Sequence, residues 1–212
     1  MTGLPAVTAV ILAGGRSHRF GADKLAVSLD GRPLLEHVVA AVVPLATEVV
    51  VAVGTEGPSA VVDALRGRGG PPVRVVADPL PDAGPAAGLR AALEVAREPT
   101  VLVVAGDMPR LAAPVLELLV RHLAAADPGA VDSVALALRG RVQPLPVTLR
   151  VGAATAAAQA AAASGDARLL GILAHLRVRV LEESAWRPLD PEAWTLVDVD
   201  RPADLDRVRR ER

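Results

Sequence analysis

Four short runs in the first half of the chain are apolar at nearly every position: Thr8–Leu12, Glu48–Val53, Val73–Ala77 and Thr100–Ala105. They are rich in Val and lack polar alternation, as parallel strands covered on both faces do. Between them the period lengthens to the helical repeat. Leu34–Val43 sets Leu34, Leu35, Val38 and Val42 on one side of a helix, and Val61–Leu65 is a shorter stretch of the same kind. Ala86–Ala96 is a third, and Pro114–Ala126 a fourth, with Pro114 suited to a first helical position. Strand and helix in turn predict right-handed βαβ units and a doubly wound, mostly parallel α/β sheet.

The second half changes character. Ser133–Leu138, the turn Arg139-Gly140-Arg141 and Val142–Leu149 read as a small antiparallel hairpin. Pro144 and Pro146 confine its second strand to an edge or irregular position. Gly152–Ser164 is nearly all alanine, a helix by propensity and, with weak amphipathicity, a peripheral one. A short helix over Ala167–His175, strands at Val178–Leu181 and Thr195–Val199, and a charged helix from Pro202 complete the pattern. No repeat or long linker intervenes, so residues 1–212 read as one domain.

Composition narrows the function. Phe20, Trp186 and Trp194 are the only aromatics and the formal net charge is −1, which argues against a nucleic-acid surface. No run approaches the roughly 20 apolar residues of a membrane span, and Met1–Pro5 lacks the basic start of a secretory signal. Without cysteine there is neither disulfide nor thiolate metal site, so a cytoplasmic enzyme is expected. His18, His37, His122 and His175 show no ligand spacing and read as surface or helix residues.

Lys24 is the only lysine among 23 lysines and arginines, and asparagine is absent. Such a bias toward arginine leaves lysine where a compact ammonium is needed among phosphate oxygens. Lys24 closes a glycine-rich segment, Leu12-Ala13-Gly14-Gly15-Arg16-Ser17-His18-Arg19-Phe20-Gly21-Ala22-Asp23-Lys24, directly after the first strand. In α/β sheets that turn receives phosphates, because glycines let backbone N–H groups approach. The spacing is neither GxGxxG nor GxxxxGK[ST]. Asp107 falls just past the fourth strand, on the edge where such sheets bind ligands. A carboxylate there suits Mg2+, or caps the helix near Pro114. Asp200 is a second candidate carboxylate, or a plain helix start; Asp198, two residues earlier, shares its face if the strand continues.

The segment Leu12–Lys24 resembles the signature loop of nucleotidyltransferases of the molybdenum cofactor guanylyltransferase (MobA-like) type. The resemblance continues in order. Asp78 ends the third strand, and Gly84-Pro85-Ala86-Ala87-Gly88 is similar to the family's GPLAG. Gly106-Asp107-Met108-Pro109 resembles GDMP, Gln143-Pro144-Leu145 resembles [HQ]PL, and Asp198–Leu205 resembles NVNTPEDL. The resemblance implies a Rossmann-like nucleotidyltransferase fold. It implies transfer of GMP from GTP to the terminal phosphate of molybdopterin, with release of pyrophosphate. Nucleotide contacts would fall to Leu12, Ala13, Gly14, Gly15, Lys24, Asp78, Gly84, Gly88 and Asp107. Catalysis would fall to Lys24, Arg16, Arg19 and Asp107, with Mg2+ on Asp107 and Asp200. Asp78 suits guanine N1–H and N2–H, or else makes a strand-end turn with Pro79; Gly84 and Gly88 equally suit a turn and helix entry.

Both asparagines of the family's NVN are aspartates here, Ala52 stands where a polar residue is common, and Gln143 replaces the commoner histidine. A cytidylyltransferase for the same pterin is the nearest alternative, but Gly14-Gly15 and Met108 differ from the AAG and GDQP of such relatives. Another small-phosphate or sugar-phosphate nucleotidyltransferase is a further one. A non-catalytic nucleotide-binding protein is the alternative of another class, opposed by the presence of Lys24, Asp107 and a second carboxylate. The expected partners are GTP and a molybdopterin-type acceptor, with room for transient contact with other cofactor-biosynthesis proteins, and neither nucleic acid nor membrane.

Overall fold

The four apolar runs form the parallel heart of the sheet in a computed structural model that describes residues 3–14, 23–55, 57–65, 70–77 and 84–210. After β1 (Thr8–Leu12), the two-residue strands β2 (Ser28–Leu29) and β3 (Arg32–Pro33) make a separate antiparallel hairpin. β1 then lies between β4 (Glu48–Val53) and β6 (Thr100–Ala105), and β4 pairs with β5 (Val73–Ala77), all in parallel. β7 (Ser133–Leu138), β8 (Arg141–Arg150) and β9 (Val178–Leu181) extend the sheet to seven strands, in the order β5-β4-β1-β6-β8-β7-β9.

Strand periodicity decides which side chains meet which helices. Ala9 and Ile11 of β1 face one layer, packed with Leu35, Val38 and Val42 of α1 (Leu34–Val42), Val61 and Val62 of α2 (Ala60–Asp63), and a residue pair from a later helix. Val10 and Leu12 face the other, with Leu89, Ala92 and Leu93 of α3 (Gly84–Val95). The later helix of the first layer is α4 (Ala113–Ala124), which contributes Leu116 and Val120. Opposite it, α5 (Val151–Ala163) and α6 (Leu169–Leu173) join α3. Fully burying one Val or Leu is worth about 1.5–3 kcal/mol, against about 0–1 for an exposed ion pair, so these aliphatic layers hold the fold. α7 (Glu183–Trp186) buries Trp186 against β7, and α8 (Pro202–Arg210) packs Leu205 and Val208 on Leu29 and Leu34. Among the described residues no helix is long and apolar enough to cross a membrane.

Two expectations need correction, and a third is narrowed to one of its alternatives. Thr195–Val199 is not a strand but a 3-10 turn, Trp194–Leu196, running into irregular backbone. The Asp190 carboxylate accepts from the N–H groups of Trp194 and Thr195 at 3.0 and 2.7 Å, removing donors a ladder would need. β8 is interior, between β6 and β7, so of the edge or irregular position that the prolines allowed it takes the irregular one. Its ladder to β7 skips from Val147 to Val142, so the prolines fall where no pairing is required. α5 is not merely peripheral either. Its weak amphipathicity reflects alanine on every side, and Ala154, Ala157, Ala158 and Ala161 are buried in the layer shared with α3.

At the amino ends of β1 and β4 the register sets Thr8 opposite Glu48. Glu48 is 2% exposed, and both of its carboxylate oxygens are engaged. Oε1 accepts from Thr8 Oγ1 and Arg97 N–H, each at 2.7 Å, and Oε2 accepts from Arg74 at 2.7 Å. Burial works to raise its pKa, but the bonds from Thr8, Arg97 and Arg74 outweigh it and hold the carboxyl below its usual 4.5. A carboxyl depressed in the folded state stabilises fully above the unfolded value and loses that contribution as pH falls through the folded one. Glu48→Gln should therefore cost about 2 kcal/mol at pH 7, in line with hydrogen bonds to charged groups. Urea unfolding should show the gap to wild type narrowing as pH drops below 4.5. A gap that ignores pH would remove the ionised carboxylate from the fold's support.

Candidate active site

Leu12, Ala52 and Ala105 stand in register at the carboxyl ends of β1, β4 and β6. Ala13 prolongs the pairing through its N–H to the Ala52 carbonyl at 2.7 Å, and exposed Gly14 follows. A Cβ on Gly14 would lie 3.3 Å from Gly54 N, so the backbones approach closely there. On the next strand Gly106 N–H donates to the Leu12 carbonyl at 2.9 Å, and the chain turns away into Asp107.

Lys24 reaches this edge through its neighbours. Asp23 accepts from Leu25 N–H at 3.0 Å and starts the 3-10 turn Lys24–Ala26. Leu25 then packs on Gly106, where a Cβ would come within 3.1 Å of Leu25 Cδ2. Glycine at 106 thus lets the Lys24 turn seat directly beside Asp107.

Asp200 arrives from the far end of the chain. Val199 N–H donates to the Asp107 carbonyl at 3.0 Å, and the Val199 side chain is buried with Leu29, Leu34, Leu205 and Val208. Asp204 accepts from the N–H groups of Asp200 and Arg201 at 3.0 and 2.7 Å. Asp204, in the first turn of α8, thus fixes the backbone that carries Asp200, whose carboxylate reaches Lys24.

The three meet. The Lys24 ammonium donates to Asp107 Oδ2 at 2.6 Å and to Asp200 Oδ1 at 2.7 Å. Its side chain is only 12% exposed. Burial pulls the Lys24 pKa down, but hydrogen bonds and charge from Asp107 and Asp200 outweigh that and hold it above the usual 10.5. Asp198 is pushed above the usual carboxylate range by partial desolvation first, then by the charges of Asp200 and Asp107. Asp107 Oδ1 is buried with no hydrogen-bond partner among the described residues. The edge therefore carries an unused buried acceptor and a concentration of negative charge, which suits a hard divalent cation with oxygen ligands. Among the described residues no three acidic or histidine groups are drawn into one cluster able to hold a metal; Asp107 and Asp200 form a pair bridged by the ammonium.

Of the remaining expected contacts, Gly84 and Gly88 lie in the first turn of α3 rather than in a loop. Gly84 has φ +74°, and a Cβ there would sit 3.0 Å from the Ala167 carbonyl oxygen; Gly88 lies over Ala52 and Leu12. Gln143 and Leu145 fall beyond Val147, which pairs with Val103, and so lie toward the same carboxyl end of β6. Gly15, Arg16, Arg19 and Asp78 lie outside the described residues. Sequence reasoning gave no role to Asp23, Leu25 or Asp204, although an Asp just before a turn is a capping signal.

Comparison with known proteins gives the family and the fold. The model of the MobA-like NTP transferase domain matches residues 9–180, leaving Asp200 and α8 outside the matched part. The "Probable molybdenum cofactor guanylyltransferase" of Chloroflexus aggregans is 32% identical over 96% of this chain and 93% of its own. The fold is shared with molybdopterin-guanine dinucleotide biosynthesis protein A from Archaeoglobus fulgidus, at 24% identity and a TM-score of 0.77, over 96% of this chain and 97% of that one. It is also shared with a Mycobacterium tuberculosis protein crystallised in complex with manganese, at 20% identity and a TM-score of 0.66, over 98% and 100% of the two chains. With a matching domain over most of its length and a full-length relative, the chain belongs to the MobA-like NTP transferase family.

Proposed function

We propose that the chain transfers GMP from GTP to the terminal phosphate of molybdopterin, making the guanine dinucleotide form of the cofactor and releasing pyrophosphate, with residues 1–212 acting as one domain. The observation that carries this is the Lys24 ammonium held between Asp107 and Asp200 at the open edge of the sheet. Family membership and the relative's name support the substrates.

In this reaction an acceptor phosphate oxygen attacks the α-phosphorus of GTP and pyrophosphate leaves. The attacking oxygen is already anionic, so neither a general base nor a covalent nucleophile is required. Catalysis is positioning plus charge stabilisation. Lys24 has three N–H donors, two of them on carboxylates in the free protein, and phosphate oxygens offer it alternative acceptors. Its charge then opposes the negative charge that builds on the leaving pyrophosphate. The exposed backbone at Gly14 and the first turn of α3 at Gly84–Gly88 flank the nucleotide. Arg16, Arg19 and Asp78 keep the roles the family resemblance implies: charge stabilisation for the arginines, guanine recognition for the aspartate. Asp107 and Asp200 would hold Mg2+, which would supply charge stabilisation at the α-phosphate and the leaving group.

Thermal unfolding with Mg2+ and each of GTP, CTP, ATP and UTP tests the base. A nucleotide at 100 times its Kd stabilises by about 2.7 kcal/mol, and GTP alone should do so. A shift with CTP instead would assign the cytidylyl reaction, and no shift with any nucleotide would remove the transferase reading. In the transfer assay, Asp107→Ala should keep its fold and lose at least about 100-fold in kcat, the scale of one electrostatic group removed from a transition state. Lys24→Arg should lose about 100-fold in kcat/KM, because a planar fork misplaces the charge by about an ångström. Wild-type rates for that arginine variant would show that any cation serves at this position.

A further inference from the structure

The segments carrying Lys24, Asp107 and Asp200 converge twice, once at the site and once behind it. The second meeting point is Arg110, three residues beyond Asp107 on the connection from β6 to α4. Its Nη2 donates to the Val208 carbonyl at 3.0 Å and approaches Asp30 Oδ2 at 3.4 Å. Asp30 lies in the turn of the β2–β3 hairpin, which follows the Lys24 turn. Val208 lies in the last turn of α8, the helix that follows Asp200. Its carbonyl is among the last four of the helix, which lack an intrahelical donor, and a cation there also opposes the helix dipole. Arg209 closes the arrangement from the other side by donating to the Ser28 carbonyl at 2.7 Å. Between these ties lies the small apolar cluster of Leu29, Leu34, Val199, Leu205 and Val208.

Asp200 needs such support. Its side chain is 52% exposed, and the backbone before it is not a strand. Its place relative to Asp107 rests on the Val199 N–H to Asp107 bond, the Asp204 cap and the docking of α8. Among the described residues, Arg110 is the tie that docks α8 from Asp107's own connection, a position from which the spacing of the two carboxylates can be set.

We infer that Arg110 is a positioning residue for the reaction: it clamps α8 and the β2–β3 hairpin to the Asp107 connection and so holds Asp200 in register with Asp107 and Lys24. This rests on the transferase reading and deepens it. Arg110 bonds to Asp30 and Val208 rather than to Lys24, Asp107 or Asp200, and acts through the backbone it ties together. Its effect therefore falls on the carboxylate pair, with turnover recovering once the pair is loaded.

The test titrates Mg2+ against the full chain at saturating GTP, reading thermal stabilisation and, separately, the rate of transfer. Arg110→Ala should raise the Mg2+ concentration for half-maximal effect in both readouts by about tenfold, the scale of losing an outer support of a metal ligand. At saturating Mg2+ its kcat should return to within about twofold of wild type, and amide exchange at Val199–Arg201 should speed up. Arg110→Lys, which keeps a cation at the end of α8, should fall between the two, and it carries the test if the alanine variant fails to fold. In an Asp200→Ala background, Arg110→Ala should raise the midpoint no further, because the residue it positions is gone. An unchanged midpoint in Arg110→Ala and Arg110→Lys, or an equal rise with and without Asp200, overturns the inference while leaving the transferase reading intact. A wild-type chain indifferent to GTP and Mg2+ removes both.

Discussion

The interaction on which the site depends is the ammonium of Lys24 held between two carboxylates that are far apart in sequence. Asp107 comes from the end of β6 and Asp200 from the approach to α8, and Lys24 contacts their oxygens at 2.6 and 2.7 Å. Two like charges brought to one ammonium repel each other, and the cation between them offsets that repulsion. The ammonium makes the pair tolerable in the free protein. It also leaves one acceptor, Asp107 Oδ1, buried and without a partner among the described residues.

The opposite end of the same sheet offers an internal contrast. Glu48, like the half-buried Asp107, is an acidic group held beside positive charge, yet Glu48 has both oxygens fully engaged by Thr8, Arg97 and Arg74. That cluster satisfies itself and reads as structure. The carboxyl-edge cluster does not: it has an orphan acceptor, a carboxylate pushed up at Asp198, and a lysine whose partners are exposed in part. A satisfied buried network supports a fold, whereas an unsatisfied one at a sheet's open edge is prepared for a ligand.

Most of the frame was legible in the chain because it rests on one simple pattern. Strands covered on both faces must be apolar throughout, and β1, β4, β5 and β6 carry the bounds their valine-rich runs suggest. The failures share a cause as well. Thr195–Val199 is a short, mostly apolar run that reads as a strand, but a carboxylate five residues before Thr195 takes its amide. Pro144 and Pro146 left an edge or an irregular strand open, and the structure takes the second, inside the sheet, by a skipped ladder. In each case the outcome was decided outside the run itself. The site divides in the same way. Lys24, Asp107 and Asp200 could be named from motif order, but their convergence depends on Gly106 admitting Leu25 and on Asp204 fixing the backbone at Asp200. Arg110 left no local trace, since its meaning lies in contacts 80 and 98 residues away.

Because Lys24 is the only lysine, incorporating 13Cε-labelled lysine gives the site a single side-chain resonance that needs no assignment. Titrating GTP with Mg2+ while following that signal asks directly whether the ammonium between Asp107 and Asp200 is where the nucleotide goes. A saturable shift of the one resonance, with CTP, ATP and UTP leaving it in place, is the result this account predicts. A resonance that stays where it is at saturating GTP would contradict it and return Lys24 to a purely structural ion pair.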